Sequence, residues 1–300
     1  MSLHKQKRVI VICGPTAVGK TAIAIQVAKH FKTAIISADS RQCFKELNIG
    51  VARPSVNELK EVPHYFIASH SIQEEVTAAA FEQYALQKVQ ELFQQHDTVV
   101  MAGGTGLYIK AFCEGLDEIP EVQPEIRTSI IDKYNRNGLS WLQEEIKKKD
   151  PEFYAAGEIQ NPQRMMRALE VVESSGRSIL TFRKGEKVKR EFAIVRIGIE
   201  LPREELSRRI DARVDAMMQA GLMDEVKGLL PFKHLNALQT VGYAELFEYL
   251  GGKISLQRAV EEIKVHTRQY AKRQMTWFKK DKGIKWFAPD QYHDLLDSIK

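Results

Sequence analysis

The sequence predicts an α/β fold: a P-loop-type parallel sheet flanked by helices, with a mostly helical insertion and a helical C-terminal part. Three observations carry this. Short β-branched apolar runs alternate with helical periodicity over the first hundred residues, the order that builds a parallel sheet with helices on its faces. The pattern turns helical after about Gly115. A β-branched, alternating stretch then returns at 192–201.

The elements follow in order. Val9-Ile10-Val11-Ile12-Cys13, bounded by Gly14 and Pro15, reads as a buried strand. Residues 20–31 read as a helix, with Ala22, Ile25 and Ala28 on one stripe. Ala34-Ile35-Ile36 is a second strand, running into Ser37-Ala38-Asp39. Residues 78–95 form an amphipathic helix on Phe81, Ala85, Leu92 and Phe93. Residues 98–102 are a third strand, ending in Gly103-Gly104-Thr105-Gly106. Residues 118–124 are rich in proline and acid, and helices are expected at 125–135, 140–148 and 163–174. After the strand at 192–201 come helices over 203–230, 238–250 and 255–280, and a last strand at 284–287. The expected organisation is a discontinuous core, 1–114 with 192–300, and an insertion at 115–191.

The chain has 300 residues, 44% apolar and 28% charged, which excludes disorder, collagen and a disulfide scaffold. No apolar run approaches membrane-spanning length and no secretory pattern opens the sequence, so a cytoplasmic protein with no membrane partner is expected. Cys13, Cys43 and Cys113 lie far apart and form no CxxC pair, so neither zinc nor a disulfide framework is indicated. His64, His70 and His266 are isolated and are assigned no metal. The net charge of +5 is mild, but it is uneven. From 264 to 285, Lys264, Arg268, Lys272, Arg273, Lys279, Lys280, Lys282 and Lys285 face one acid, Asp281. Tyr270, Trp277, Phe278 and Trp286 are interleaved with this charge. That suits a grip on RNA and equally an amphipathic helix with its aromatics in the core. Lys184, Lys187, Lys189 and Arg190 form a second basic cluster, either a solvated loop or an RNA contact.

Gly14-Pro15-Thr16-Ala17-Val18-Gly19-Lys20-Thr21 fits G-x-x-x-x-G-K-[ST] between a strand and a helix. Such a P-loop turns backbone N–H groups around a phosphate, adds a helix N-terminus, and supplies Lys20 as a point charge. The Thr21 hydroxyl suits Mg²⁺. The third strand ends in Gly103-Gly104, where a nucleotide hydrolase would carry a metal-ordering acid. Asp39 follows the second strand on the sheet edge where ligands bind. It suits a metal ligand or general base, and equally a helix N-cap. A small-molecule or nucleotide kinase and a non-catalytic RNA-binding module are the competing classes.

An ordered series of motifs narrows this. It comprises Gly14 to Thr21, Ser37-Ala38-Asp39-Ser40-Arg41-Gln42, Ile49-Gly50, Gly103-Gly104-Thr105-Gly106-Leu107-Tyr108, and Asn161-Pro162-Gln163-Arg164 with Arg167-Ala168-Leu169-Glu170. Gly242-Tyr243 and Thr267-Arg268-Gln269-Tyr270-Ala271-Lys272-Arg273-Gln274 complete it. Together these resemble bacterial tRNA dimethylallyltransferases, also called tRNA isopentenyltransferases. The resemblance implies transfer of a dimethylallyl group from dimethylallyl diphosphate to N6 of adenosine 37, beside the tRNA anticodon, by a monomer using Mg²⁺. It implies that the P-loop cradles a prenyl diphosphate, that Asp39 is the general base, and that Arg213 helps hold the diphosphate. It places Thr105, Arg127, Asp39, Ser40, Arg41, Gln42, Gln163, Arg164, Met165, Met166 and Arg167 against the tRNA anticodon stem-loop. Two departures stand out. Gly50-Val51-Ala52-Arg53-Pro54 replaces the usual Gly-Thr-Ala-Lys-Pro, and Ala244 replaces a basic residue.

Overall fold

The computed structural model describes residues 6–299. In chain order the elements are β1 (Arg8–Cys13), α1 (Lys20–His30), β2 (Ile35–Ser37), α2 (Val56–Glu61), β3 (His64–Tyr65), α3 (Ala78–Leu92), β4 (Thr98–Gly103) and α4 (Gly106–Glu114). There follow α5 (Pro124–Lys149), α6 (Pro151–Ala156), α7 (Pro162–Ser175), β5 (Ala193–Ile199), α8 (Arg203–Gln219), α9 (Leu222–Leu229), α10 (Tyr243–Leu250), α11 (Leu256–Phe278), β6 (Lys285–Phe287) and α12 (Tyr292–Asp297).

The six strands form one sheet in the order β3-β2-β4-β1-β5-β6, with every neighbouring pair parallel. β1 lies in the middle and is buried on both faces, as a parallel sheet covered by helices requires. Alternation along it feeds two cores. Val9, Val11 and Cys13 join one, with Phe81, Phe112 and Tyr243. Ile10 and Ile12 join the other, with Ile23, Ala24 and Val27 of α1.

The chain separates into two compact units, one ending at Cys113 and resuming at Lys189, the other spanning Glu114–Val188. The second has its own core of Ile130, Leu142, Ile146, Phe153, Met165 and Leu169. Its longest helical run, α5, is interrupted where Gly138 takes φ 74° and ψ −165°, between the two helices expected there.

Several expected elements change. The helix expected over 203–230 is two, α8 and α9, separated at Gly221 with φ 97°. The one expected over 238–250 starts only at Tyr243. The short elements α2, β3, α4, α6 and α12 were not anticipated.

The basic cluster at 184–190 is divided by the structure. Lys189 and Arg190 belong to the sheet unit. Arg190 is largely buried, ion-paired to Glu82 at 2.5 Å and bonded to the carbonyls of Ala111 and Phe112 at 2.8 Å. Lys187 pairs with Glu114 at 2.7 Å. A single four-charge RNA grip is therefore not formed. The charge at 264–285 is also partly answered from elsewhere: Lys264 pairs with Asp215, Arg268 with Asp211 and Lys279 with Glu200.

Candidate active site

The loops after β1, β2 and β4 emerge side by side at the carboxyl edge of the sheet, where an open parallel sheet holds its ligands. They enclose a cavity of about 320 Å³, lined by Thr16, Ala17, Gly19, Lys20 and Thr21 from the first loop and by Asp39 and Gln42 from the second. Ala102, Gly103 and Gly104 come from the third. Helix α8 adds Arg209 and Arg213, α11 adds Tyr270 and Gln274, and Val51 and Ala52 complete the wall.

The first loop is wound for an anion. Ala17 takes φ 63°, a left-handed conformation unusual for a residue with a Cβ. Lys20 donates to the Pro15 carbonyl at 2.5 Å. Burial pushes the Lys20 amine down to about 8; Asp39 opposes this and Arg213 adds to it. Burial likewise lowers the Arg213 guanidinium, again against the pull of Asp39. Lys20 and Arg213, both only partly exposed, place two cations around this loop, an arrangement whose charge suits an anionic ligand.

Asp39 is both a turn cap and a cavity group. Its Oδ1 accepts N–H bonds from Arg41 at 2.9 Å and Gln42 at 3.2 Å, which leaves Oδ2 for the cavity. Thr105 Oγ1 accepts the Ser40 N–H at 3.0 Å and donates to the Ser40 hydroxyl at 3.3 Å. Arg41 donates to the Asn236 carbonyl at 3.0 Å. Gln42 donates to the carbonyls of Val51 and Ala52 at 3.2 and 3.0 Å, so its amide holds the cavity wall. Arg53 donates to the carbonyls of Phe44, Lys45 and Leu47; its charge ties a loop. The Ile49-Gly50 and Gly242-Tyr243 motifs meet at Glu225, whose carboxylate accepts the N–H groups of Ile49 and Gly50 and the Tyr243 hydroxyl.

The glycine that ends β4 has a steric reason. A Cβ on Gly103 would lie 2.1 Å from the Ala38 carbonyl oxygen. No acidic side chain fits at that strand end without moving the Asp39 loop.

The remaining predicted residues lie in the other unit. Gln163 and Arg164 are exposed on the first turn of α7, which Asn161 caps. Arg127 and Arg167 both pair with the buried Glu170. Met165 and Met166, expected among the tRNA contacts, have their side chains packed in that unit's core, 0% and 6% exposed. Only the remaining members of the segment present side chains to a ligand.

Sequence reasoning gave Arg209 and Gln274 no role. Arg209 stands one turn before Arg213, an i, i+4 spacing that sets both on one face of α8. Glu205 holds it at 2.9 Å, and a Cβ on Gly19 would lie 4.0 Å from its Nη1.

Known proteins match this arrangement. The family model described as IPP transferase matches residues 42–281. The chain belongs to the IPP transferase family. A relative in Cytophaga hutchinsonii, named tRNA dimethylallyltransferase, is 45% identical, covering 98% of this chain and 97% of its own length. The crystal structure of a tRNA isopentenylpyrophosphate transferase from Bacillus halodurans has a TM-score of 0.72 at 31% identity, covering 98% of this chain and 96% of that one. A eukaryotic dimethylallyltransferase shares the fold, with a TM-score of 0.77 at 23% identity, covering 97% of this chain and 80% of that one. Among the described residues no cluster of three or more His, Cys, Asp or Glu is arranged for a metal, and no helix is long and apolar enough to cross a membrane.

Proposed function

We propose that this protein transfers a dimethylallyl group from dimethylallyl diphosphate to N6 of adenosine 37 in the tRNA anticodon loop, acting as a cytoplasmic monomer. The observation that carries this is one cavity in which a phosphate loop with Lys20 and Arg213 faces the Asp39 carboxylate, beside a strand end with no room for an acid. Relatives bearing the matching name supply the chemistry of the substrates.

Lys20, the loop amides and Arg213 bind the diphosphate, with Arg209 at the mouth of the loop. The amine nitrogen bonds to the allylic carbon while the carbon–oxygen bond to the diphosphate breaks, and the leaving group departs with the electron pair. Asp39 accepts the proton that the amine loses, a contribution of about 10²–10⁴-fold for a placed general base. Lys20 and Arg213 stabilise the charge that gathers on the leaving diphosphate. Val51, Ala52 and Ala102 give the cavity apolar wall that keeps water from the allylic carbon. The donor set fits a divalent cation held chiefly by substrate oxygens, with the Thr21 hydroxyl as its protein ligand, the usual arrangement for Mg²⁺ on phosphates. When bound it would add charge neutralisation at the diphosphate.

A thermal-shift comparison tests the donor. Dimethylallyl diphosphate should raise the unfolding temperature more than ATP does at equal concentration, because a ligand specific to the native state stabilises it in proportion to its affinity. Stronger protection by ATP, with ADP released, would instead mark a kinase.

A further inference from the structure

We propose that Gln274 is a positioning residue for the transfer: its side-chain amide ties the phosphate loop to the 103–105 loop and thereby fixes the donor's reacting carbon against the acceptor amine. This rests on the transfer reaction proposed above.

Gln274 is 6% exposed, on the face of α11 that lines the cavity. Its two polar ends are each used. Oε1 accepts the Thr16 N–H at 2.9 Å, and Nε2 donates to the Gly104 carbonyl at 2.8 Å. A Cβ on Gly104 would stand 2.3 Å from Nε2, so the absence of a side chain there makes the space for the amide. The Thr16 N–H is engaged by Gln274, so this side chain shapes the loop and is not itself the phosphate ligand.

From Gly104 the connection runs to the acceptor side. The next residue, Thr105, donates its N–H to the Ala38 carbonyl at 3.1 Å and accepts the Ser40 N–H at 3.0 Å, so it brackets Asp39. The donor-binding loop and the proton-accepting carboxylate are thus joined through one buried amide. Placement of this kind decides rate, since a misplacement of about 1 Å costs on the order of 10²-fold.

The chemistry of the amide is specific. The bridge needs an acceptor at one end for an N–H and a donor at the other for a C=O. Glutamine supplies both while neutral. A carboxyl group supplies both only when protonated; ionised, it sets a negative oxygen against the Gly104 carbonyl.

The test uses the full chain with tRNA and dimethylallyl diphosphate, and two variants, Gln274→Met and Gln274→Glu. Single-turnover rates at saturating substrates, and KM for each substrate, are measured across pH as ratios to wild type. Lys20, Asp39, Arg209, Arg213 and Tyr270 are the titratable and charged groups that line the cavity with Gln274, so every variant is compared with wild type at the same pH. The expected result for Gln274→Met is a fall of about 10²-fold in rate, with both KM values within about threefold of wild type. Gln274→Glu should approach wild-type rate in acid and fall away from it as pH rises, a titration that a merely structural role would not create. Thermal melts restrict every comparison to folded protein. If Gln274→Met does not fold, the pH profile of Gln274→Glu decides alone. A flat ratio for Gln274→Glu, a Gln274→Met rate within about threefold of wild type, or a loss confined to KM would overturn the proposal. Wild-type protein that forms no prenylated tRNA would sink the transfer reaction itself, whereas active wild type with unaffected variants sinks only the role of Gln274.

Discussion

Asp39 uses one carboxylate oxygen to cap a turn, where the sequence allowed a helix N-cap, and its side chain also lines the cavity, where the proposed general base must stand. Replacing it separates the two roles. Asp39→Ala should lower the transfer rate by at least about 10²-fold while tRNA affinity changes only a few-fold. A rate within a few-fold of wild type would leave Asp39 as a cap alone. Lys20 carries a pH signature. Its amine is pushed by burial down to about 8, whereas an unfolded chain gives lysine an ordinary value of about 10.4. Below the folded value both states hold the proton, and the buried charge opposes folding in full. Between the two values only the unfolded chain keeps it, so this opposition fades as pH rises. In buffer free of donor and divalent cations, Lys20→Met should therefore melt above wild type near neutral pH. The gap should narrow toward pH 10, while the variant loses protection by the donor. A variant that melts below wild type at neutral pH would contradict the burial of this charge.

At the scale of elements, the strand ends were legible and the short connections were not. β1 and β4 carry apolar runs rich in β-branched residues, and the glycines at their ends punctuate the pattern. β3 has two residues and exists only because its backbone pairs with β2, a tertiary fact with no periodicity behind it. α2 did carry a local signal: Ser55 and Glu58 form a capping box, but six residues are too few to show a helical stripe. The long helix expected over 203–230 was over-read because apolar spacing carries through Gly221, whose left-handed backbone ends one helix before the next begins. Gly103 is where the end of β4 packs against the backbone of the Asp39 loop. Gly103→Ala should destabilise the fold by about 1–3 kcal/mol, since its new methyl meets the backbone of the Asp39 loop and neither strand end yields cheaply. Denaturant unfolding checks this, and an unchanged midpoint would show that the two loops have slack between them.

Across the whole molecule, the chemistry of the cavity was readable because it is built from loops whose sequence is itself the structure. The P-loop, Asp39 and Arg213 meet where strand order sets them. The role of the charge stayed open in the sequence for a physical reason. Lys264, Arg268, Lys279 and Arg190 are cationic in sequence, but partners far along the chain neutralise them. The burial of Met165 and Met166 was likewise not legible, since membership of a motif says nothing about which face of a helix is buried. The central claim concerns what leaves and what is modified, and one measurement reaches it directly. Unmodified tRNA is incubated with the protein, dimethylallyl diphosphate and Mg²⁺, with ATP as the parallel donor, and the nucleosides are analysed by mass spectrometry. The account predicts one adenosine carrying a dimethylallyl group on N6, at the position beside the anticodon, diphosphate released in equal amount, and no ADP from ATP. Unaltered nucleosides with the prenyl donor, together with ADP formed from ATP, would contradict it.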